Sequence, residues 1–461
     1  MSGSDAAEPS PAETEKKAAA AMPGGSIQAA IRAWASAHRV ELMIFAGAFV
    51  ALACFSSQRF LRQSEAPHFV YQAKAWLDGR MDLDPRVLPN LEDWACVREV
   101  GGAKVRCEGR VQATDRWYVS FPAFPSVVML PLVAVNGYQL NDTSLTVFAA
   151  ALALAAFYSL LRRLSETGES PRQPWENAVL TVLLGFGTVM FYCSIRGEVW
   201  FTAEVMGVAF TCWYLRNAVG SRRPVVAGVF YSMAVLTRTP LLFTGIFFVM
   251  EAACPGPDRM AQLRALRERW RGPLRRVGLF AAGAAPLALG AAIMNVVRFG
   301  APGEFGHRFL YNNRVNADID RYGLFSLEYL PRNLDAALIK LPTVHLSPLA
   351  LEYSPFGLSL LLTLPVLGLA LVPREKRRLQ WPLWAAVALC ALPGLVYQNT
   401  GYMQFGFRFS LDWTPYVIVL FALSGRSLKA RVSTAVMALE FLVNFWGAVA
   451  FRGYTELVRR W

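Results

Sequence analysis

Apolar stretches of about 15–20 residues recur along the chain, separated by short polar segments. They lie near 41–57, 143–161, 177–195, 200–217, 224–237, 240–254, 277–297, 355–372, 380–397, 411–424 and 432–451. That length suits helical passage through a bilayer core. The pattern predicts an all-α polytopic membrane protein with about 11 transmembrane helices. The 224–254 run is too long for one pass, and Thr237-Arg238-Thr239-Pro240 interrupts it, so it reads as two short helices.

Residues 121–137 are apolar enough for a further span but carry Pro122, Pro125 and Pro131. Charge parity decides how they are read. If they do not cross, the short connections 162–176, 216–223, 255–276, 373–380 and 425–431 share one side and hold 20 Lys/Arg. The short connections near 196–199, 238 and 398–410 then hold three. A crossing would invert this bias and contradict the basic start at Lys16, Lys17, Arg32 and Arg39. The positive-inside rule favours a re-entrant or juxtamembrane 121–137 and a cytoplasmic N-terminus. Residues 1–25 read as a disordered cytoplasmic tail. The segment 41–297 reads as a transmembrane module that includes an outer loop, 58–120. A second outer loop, 298–354, precedes C-terminal transmembrane helices in 355–461.

Composition excludes the soluble classes. Hydrophobic residues make up 54% and charged residues 17% of the 461. The net charge of +13 sits largely in short loops, where it signals topology and attraction to membrane lipids rather than nucleic acid. Cys96 and Cys107 flank Gly101-Gly102 in a polar loop. That arrangement suits a hairpin closed by one disulfide in an oxidising compartment; two free thiols are the alternative.

Candidate chemistry clusters on the expected outer face. Glu65 and His68 follow the first span, and a carboxylate at that boundary suits a general base. An interfacial Glu65 bonded to nearby backbone or Arg62 is the plainer reading. Phe69, Val70, Ala73, Trp76 and Leu77 recur at helical spacing, which fits a short amphipathic helix on the membrane surface. Glu198 falls in a short outer turn, where pairing with Arg196 is the alternative, and Glu204 lies farther along the next helix. Arg238, Arg298 and Arg408 suit phosphate, because the guanidinium fork gives paired charge-assisted bonds. Snorkelling to headgroups, or for Arg408 a salt bridge to Asp412, would explain them equally well. Gln404, Glu204 and His307 could line a substrate cavity, with a buried structural pair the alternative for Glu204. No nucleotide-binding glycines, zinc spacing or serine elbow occurs in the sequence.

Ser64-Glu65-Ala66-Pro67-His68-Phe69, followed by a Gly79-Arg80 stretch and the Pro-rich Phe121-Pro122-Ala123-Phe124-Pro125, resembles the C-type (GT-C) membrane glycosyltransferases. These include the protein O-mannosyltransferases and the aminoarabinose transferases of lipid A. The motif matches at Glu65, His68 and Phe69 and departs at Ser64, where the family often has Asp. The resemblance implies a GT-C-like helical bundle in the bacterial inner membrane with a periplasmic active site. It implies an inverting transfer of a sugar from a polyprenyl-phosphate donor to a glycan, lipid or protein acceptor of the envelope. Glu65, with His68 and Glu198 beside it, would act on the acceptor. Arg238, Arg298 and Arg408 would hold the donor phosphate. The resemblance fixes no cofactor: Glu198 could orient the acceptor or bind a divalent metal, and metal use is left open, since relatives differ. A transporter or flippase for a lipid-linked or anionic substrate is the rival expectation.

Overall fold

The computed structural model describes residues 27–89, 93–256, 259–264, 266–346 and 349–451. The expected tail at 1–25 and the basic C-terminal residues Arg452, Arg459 and Arg460 lie outside them. The described chain is mostly helical. In chain order its principal helices begin with α1 (Ile27–Ala37), α2 (Arg39–Ser56), α3 (His68–Leu77) and α4 (Phe124–Asn136). There follow α5 (Asp142–Glu166), α6 (Pro174–Phe186), α7 (Val199–Ala218) and α8 (Pro224–Val235). The remainder are α9 (Gly245–Ala253), α10 (Arg271–Phe299), α11 (Gln380–Val396), α12 (Thr414–Ala422) and α13 (Arg431–Trp446).

Four helices are long and apolar enough to cross a membrane: Arg39–Leu61, Asp142–Glu166, Arg271–Phe299 and Arg431–Phe451. Pro224–Val235, Thr239–Ala253 and Gln380–Val396 are apolar but shorter. Other apolar stretches of the sequence form broken helices. The 177–195 stretch stops at Phe186 and resumes as Met190–Ser194. The 355–372 stretch breaks before Pro365, leaving Leu360–Thr363 and Val366–Leu371. Proline cannot donate the bond that would continue the first of these two pieces. The buried Glu440 carboxylate instead accepts from the freed Val366 amide at 3.0 Å. The 121–137 segment folds as α4, whose 13 residues reach only ~20 Å against a ~30 Å hydrocarbon core.

The core is organised around α5. Within its apolar window 78% of residues are buried, against 11% for α10, so α5 is central and α10 peripheral. Asn141 caps α5 by accepting from the Ser144 amide at 2.9 Å. This fixes where the helix begins and hence where Asp142 sits. The α10 helix holds to α8 through close backbone approach. A Cβ on Gly228 would lie 2.0 Å from the Phe280 carbonyl oxygen, and one on Gly283 would lie 2.2 Å from that of Val225. Only glycine permits such a crossing.

At one end of the bundle a small sheet of order β2-β1-β3 is built from β1 (Trp94–Val100), β2 (Ala103–Arg106) and β3 (Arg116–Val119). Gly101 and Gly102, with φ of 58° and 82°, make the tight turn that joins β1 to β2. Cys96 and Cys107 are disulfide-bonded, and Arg98 grips Asp115 at 2.7 and 2.8 Å. The α3 helix is not a ribbon lying free on a surface. Phe69, Val70 and Ala73 are buried, since α4 and β3 pack against the helix, while Leu77 stays exposed.

The close crossing makes Gly283→Ala costly. The thermal midpoint of the detergent-solubilised chain is expected to fall by an amount equivalent to ~1–3 kcal/mol. Gly278→Ala on the same helix, where a Cβ meets nothing within 4 Å, should leave it unchanged.

Candidate functional site

The Ser64–Ala66 segment is pinned from two sides. Asp142, in the first turn of α5, accepts from the Ser64 amide at 2.7 Å and from its hydroxyl at 2.6 Å. The Val199 amide donates to the Ala66 carbonyl at 3.0 Å. The Gln63 side chain donates to the Tyr138 and Leu140 carbonyls at 2.6 and 2.9 Å. Glu65 projects from this fixed strip and is exposed. Its charge acts on Arg196. The 196–198 turn comes so close to α5 that a Cβ on Gly197 would lie 2.3 Å from the Thr143 hydroxyl. Glycine at that position is a steric requirement.

Arg196 and Glu198 are both buried and paired, with guanidinium-to-carboxylate distances of 2.6 and 3.1 Å. The Gly197 amide donates to Glu198 at 3.2 Å, and Arg59 approaches it at 3.6 Å. Glu198 is therefore engaged from several directions. It orients Arg196, whose Nη1 is buried with no hydrogen-bond partner among the described residues.

Deeper along α7, Glu204 is fully enclosed and meets Arg408 at 3.0 Å and Arg238 at 3.8 Å. Arg238 is held by Asp412 through two bonds of 2.9 and 2.7 Å. Asp412 thus pairs with Arg238, from the break after α8, and not with Arg408 on its own turn. Two cations and two anions balance inside an apolar bundle, as buried ions require. Arg408 keeps its Nε buried with no partner among the described residues.

The upper and lower charge groups meet through one ring. Arg196 lies 5.6 Å and Arg408 5.7 Å from the centre of Phe201. From Phe201 a closed circuit of ring contacts leads back to itself. Trp200 lies 6.4 Å from Phe201 and 6.4 Å from His68, and His68 lies 6.0 Å from Phe121. Phe121 then contacts His307 at 5.7 Å, His307 contacts Tyr397 at 6.1 Å, and Tyr397 contacts Phe409 at 6.2 Å. Arg408 sits 4.9 Å from Phe409 and closes the loop. Trp200, Phe121, His307, Tyr397 and Phe409 are only half-buried, so the circuit reaches the surface of the bundle.

His68 stacks on Trp94 at 3.8 Å, and both its ring nitrogens are buried without partners among the described residues. Burial lowers its pKa to about 4. His307 is also lowered to about 4, by burial and then by the Arg238 charge. Both rings are neutral at pH 7. Arg298 lies apart from Arg238 and Arg408 in its bonding. It is fully buried, donates to Asn295 at 2.7 Å and to the Val119 carbonyl at 3.3 Å, and packs on Phe299. Gln404 donates to the Phe356 and Thr400 carbonyls at 2.8 and 3.1 Å and braces its own loop.

The structure therefore brings Glu65, His68, Glu198, Glu204, His307, Arg238 and Arg408 around one end of α7. It keeps Arg298 and Gln404 in separate hydrogen-bond networks. Sequence reasoning missed Asp142 and understated Arg196. The Asn141-Asp142 pair before an apolar run is a helix-start signal that would have found the first. The one group of His, Cys, Asp and Glu placed closely enough for a metal, among the described residues, is Cys96, Cys107 and Asp115. Its two sulfurs are consumed by the disulfide.

Asp412→Ala would leave Arg238 only its longer contact to Glu204, which Arg408 already engages, and is expected to destabilise the chain in thermal or denaturant unfolding, by less than the ~3–5 kcal/mol of a fully unpaired buried charge. Between pH 6.5 and 4 the unfolded chain binds more protons at His68 and His307 than the folded chain does. The contribution of these two histidines to stability should be flat above pH 6.5 and be lost as pH drops towards 4. His68→Phe keeps the stack on Trp94 and removes one proton site, so a thermal-midpoint series against pH should show a shallower fall. No protein-family model matches the chain, and no curated protein matches it in sequence.

Proposed function

We propose that the protein is an inverting glycosyltransferase of the GT-C type, with about 11 membrane passes, in the bacterial inner membrane with its N-terminus in the cytoplasm. Its donor is a sugar on a polyprenyl phosphate, and its acceptor is an envelope glycan, lipid or protein reached from the periplasmic face. The observation that carries this reading is an exposed carboxylate, Glu65, whose charge reaches the buried Arg196, which in turn shares the Phe201 ring with Arg408. Each of the two guanidinium groups holds a buried N–H without a partner among the described residues.

The chemistry divides between the two. Glu65 takes the proton of an acceptor hydroxyl as its oxygen attacks the anomeric carbon. The bond from that carbon to the phosphate oxygen breaks on the opposite face, and its electron pair leaves with the polyprenyl phosphate. Arg408 and Arg196 meet the charge that develops there, through Nε and Nη1 respectively. Arg238, with its fork filled by Asp412, sets the position of Glu204 and Arg408. Glu198 does the same for Arg196. The half-buried aromatic rims suit the apolar faces of a sugar ring. The paired charges are balanced before any ligand arrives, which favours a transiently bound phosphate ester over a tightly held free anion.

Glu65→Gln leaves an exposed position uncharged and should fold normally. In proteoliposomes given labelled polyprenyl-phosphate hexoses or pentoses and an envelope acceptor fraction, it is expected to lower turnover ~10²–10⁴-fold with little change in donor KM. Arg408→Lys keeps the charge on Glu204 but loses the Nε donor, and should lower kcat ~10²–10³-fold. Unchanged transfer in Glu65→Gln would remove it as the base.

A further inference from the structure

The opposite end of α7 carries a second arrangement of charge. Gly220 lies 16 residues beyond Glu204, ~24 Å away at helical rise. A cavity of about 260 Å³ opens there, lined among others by Arg163, Thr167, Glu169, Gly220, Arg222 and Arg378. That size is near the lower end of the ~300–1,000 Å³ typical of small-ligand sites.

The arginines in this cavity are not equivalent. Arg378 is committed: its Nε donates to Glu169 at 2.6 Å and its Nη1 to Glu251 at 2.9 Å. The buried Glu251 also accepts from the Gly220 amide at 2.8 Å, so the turn and Arg378 form one rigid wall. Arg163 and Arg222 have no carboxylate partner among the described residues. Neither forms an ion pair or a side-chain hydrogen bond there, unlike Arg162, which meets Glu41 at 2.9 Å. Arg216 and Arg223 add to the same neighbourhood. Among the lining residues three guanidinium groups (Arg163, Arg222 and Arg378) face one carboxylate, Glu169, and Glu251 behind the wall adds a second.

Helix dipoles do not absorb the excess. Arg163 and Arg216 lie in the last turns of α5 and α7 and answer the partial negative charge there. Arg222 and Arg223 remain beyond both helices. The turn that presents them is strained in the way a built site is: Gly220 and the non-glycine Ser221 have φ of 66° and 49°. The Ser221 hydroxyl is buried without a partner among the described residues.

We propose that this cavity binds a phosphate group, with Arg163 and Arg222 as its two ligating side chains. Planar forks with free donors match a phosphate's oxygens. The same chemistry is offered by an anionic phospholipid headgroup and by a soluble phosphate. The site lies at the end of the bundle away from Glu65, so its occupant is not the sugar donor bound there.

The test uses the purified full chain in phosphatidylcholine nanodiscs. One arm adds phosphatidylglycerol and counts retained lipid by native mass spectrometry. The other titrates inorganic phosphate and pyrophosphate and follows binding calorimetrically. The double variant Arg163→Gln/Arg222→Gln changes two side chains that no ion pair holds, and an unchanged thermal midpoint confirms its folding. Phosphatidylglycerol retained over phosphatidylcholine, with at least a tenfold loss in the double variant, assigns a lipid headgroup. Phosphate or pyrophosphate binding with the same loss assigns a soluble ligand. Equal binding by wild type and double variant, or no binding by wild type in either arm, overturns the proposal. Arg222→Lys, which retains charge but not the fork, should fall between the two.

Discussion

Four charges, three of them buried and Arg238 half-buried, constrain this molecule more than any other feature. Glu204, Asp412, Arg238 and Arg408 come from three distant parts of the chain, yet each is satisfied by another of the set. An isolated ion in such surroundings would cost several kcal/mol even after relaxation. The fold can close only if α7, the break after α8 and the turn before α12 arrive together. Once they do, Phe201 and Phe409 are fixed between guanidinium groups, and the ring circuit follows from them. Arg196 is placed in the same way by Glu198, one step nearer the exposed Glu65.

The lines of the architecture that were legible in sequence are those written in local periodicity. The α5 and α10 helices are long apolar runs with end signals, and the Cys96–Cys107 hairpin is marked by two glycines between two cysteines. Broken helices were less legible. Apolarity in 177–195 and 355–372 is continuous, but the backbone stops at Gly187 and before Pro365, where a distant Glu440 supplies the missing bond. A hydropathy window averages over such a break.

The site was legible as residue types and illegible as pairings. Arg408 and Asp412 stand one turn apart, which suggests a local pair. The stronger partner for Asp412 lies 174 positions away. Arg298 resembles its fellow arginines in sequence context, yet its bonds go to Asn295 and a sheet carbonyl. Asp142 has no motif around it beyond a helix start, and its role in holding Ser64 depends on tertiary approach permitted by Gly197. Ser64 is thus held by a carboxylate supplied from another helix.

The proposed transfer depends on where a lipid-linked phosphate settles. The most direct measurement is a cryo-electron microscopy structure of the chain in nanodiscs with a polyprenyl-phosphate sugar. The expected density places the phosphate within hydrogen-bond distance of Arg408 Nε and Arg196 Nη1, with the anomeric carbon facing Glu65. A donor bound away from both guanidinium groups, or a sugar turned from Glu65 with no room for an acceptor between them, would contradict it.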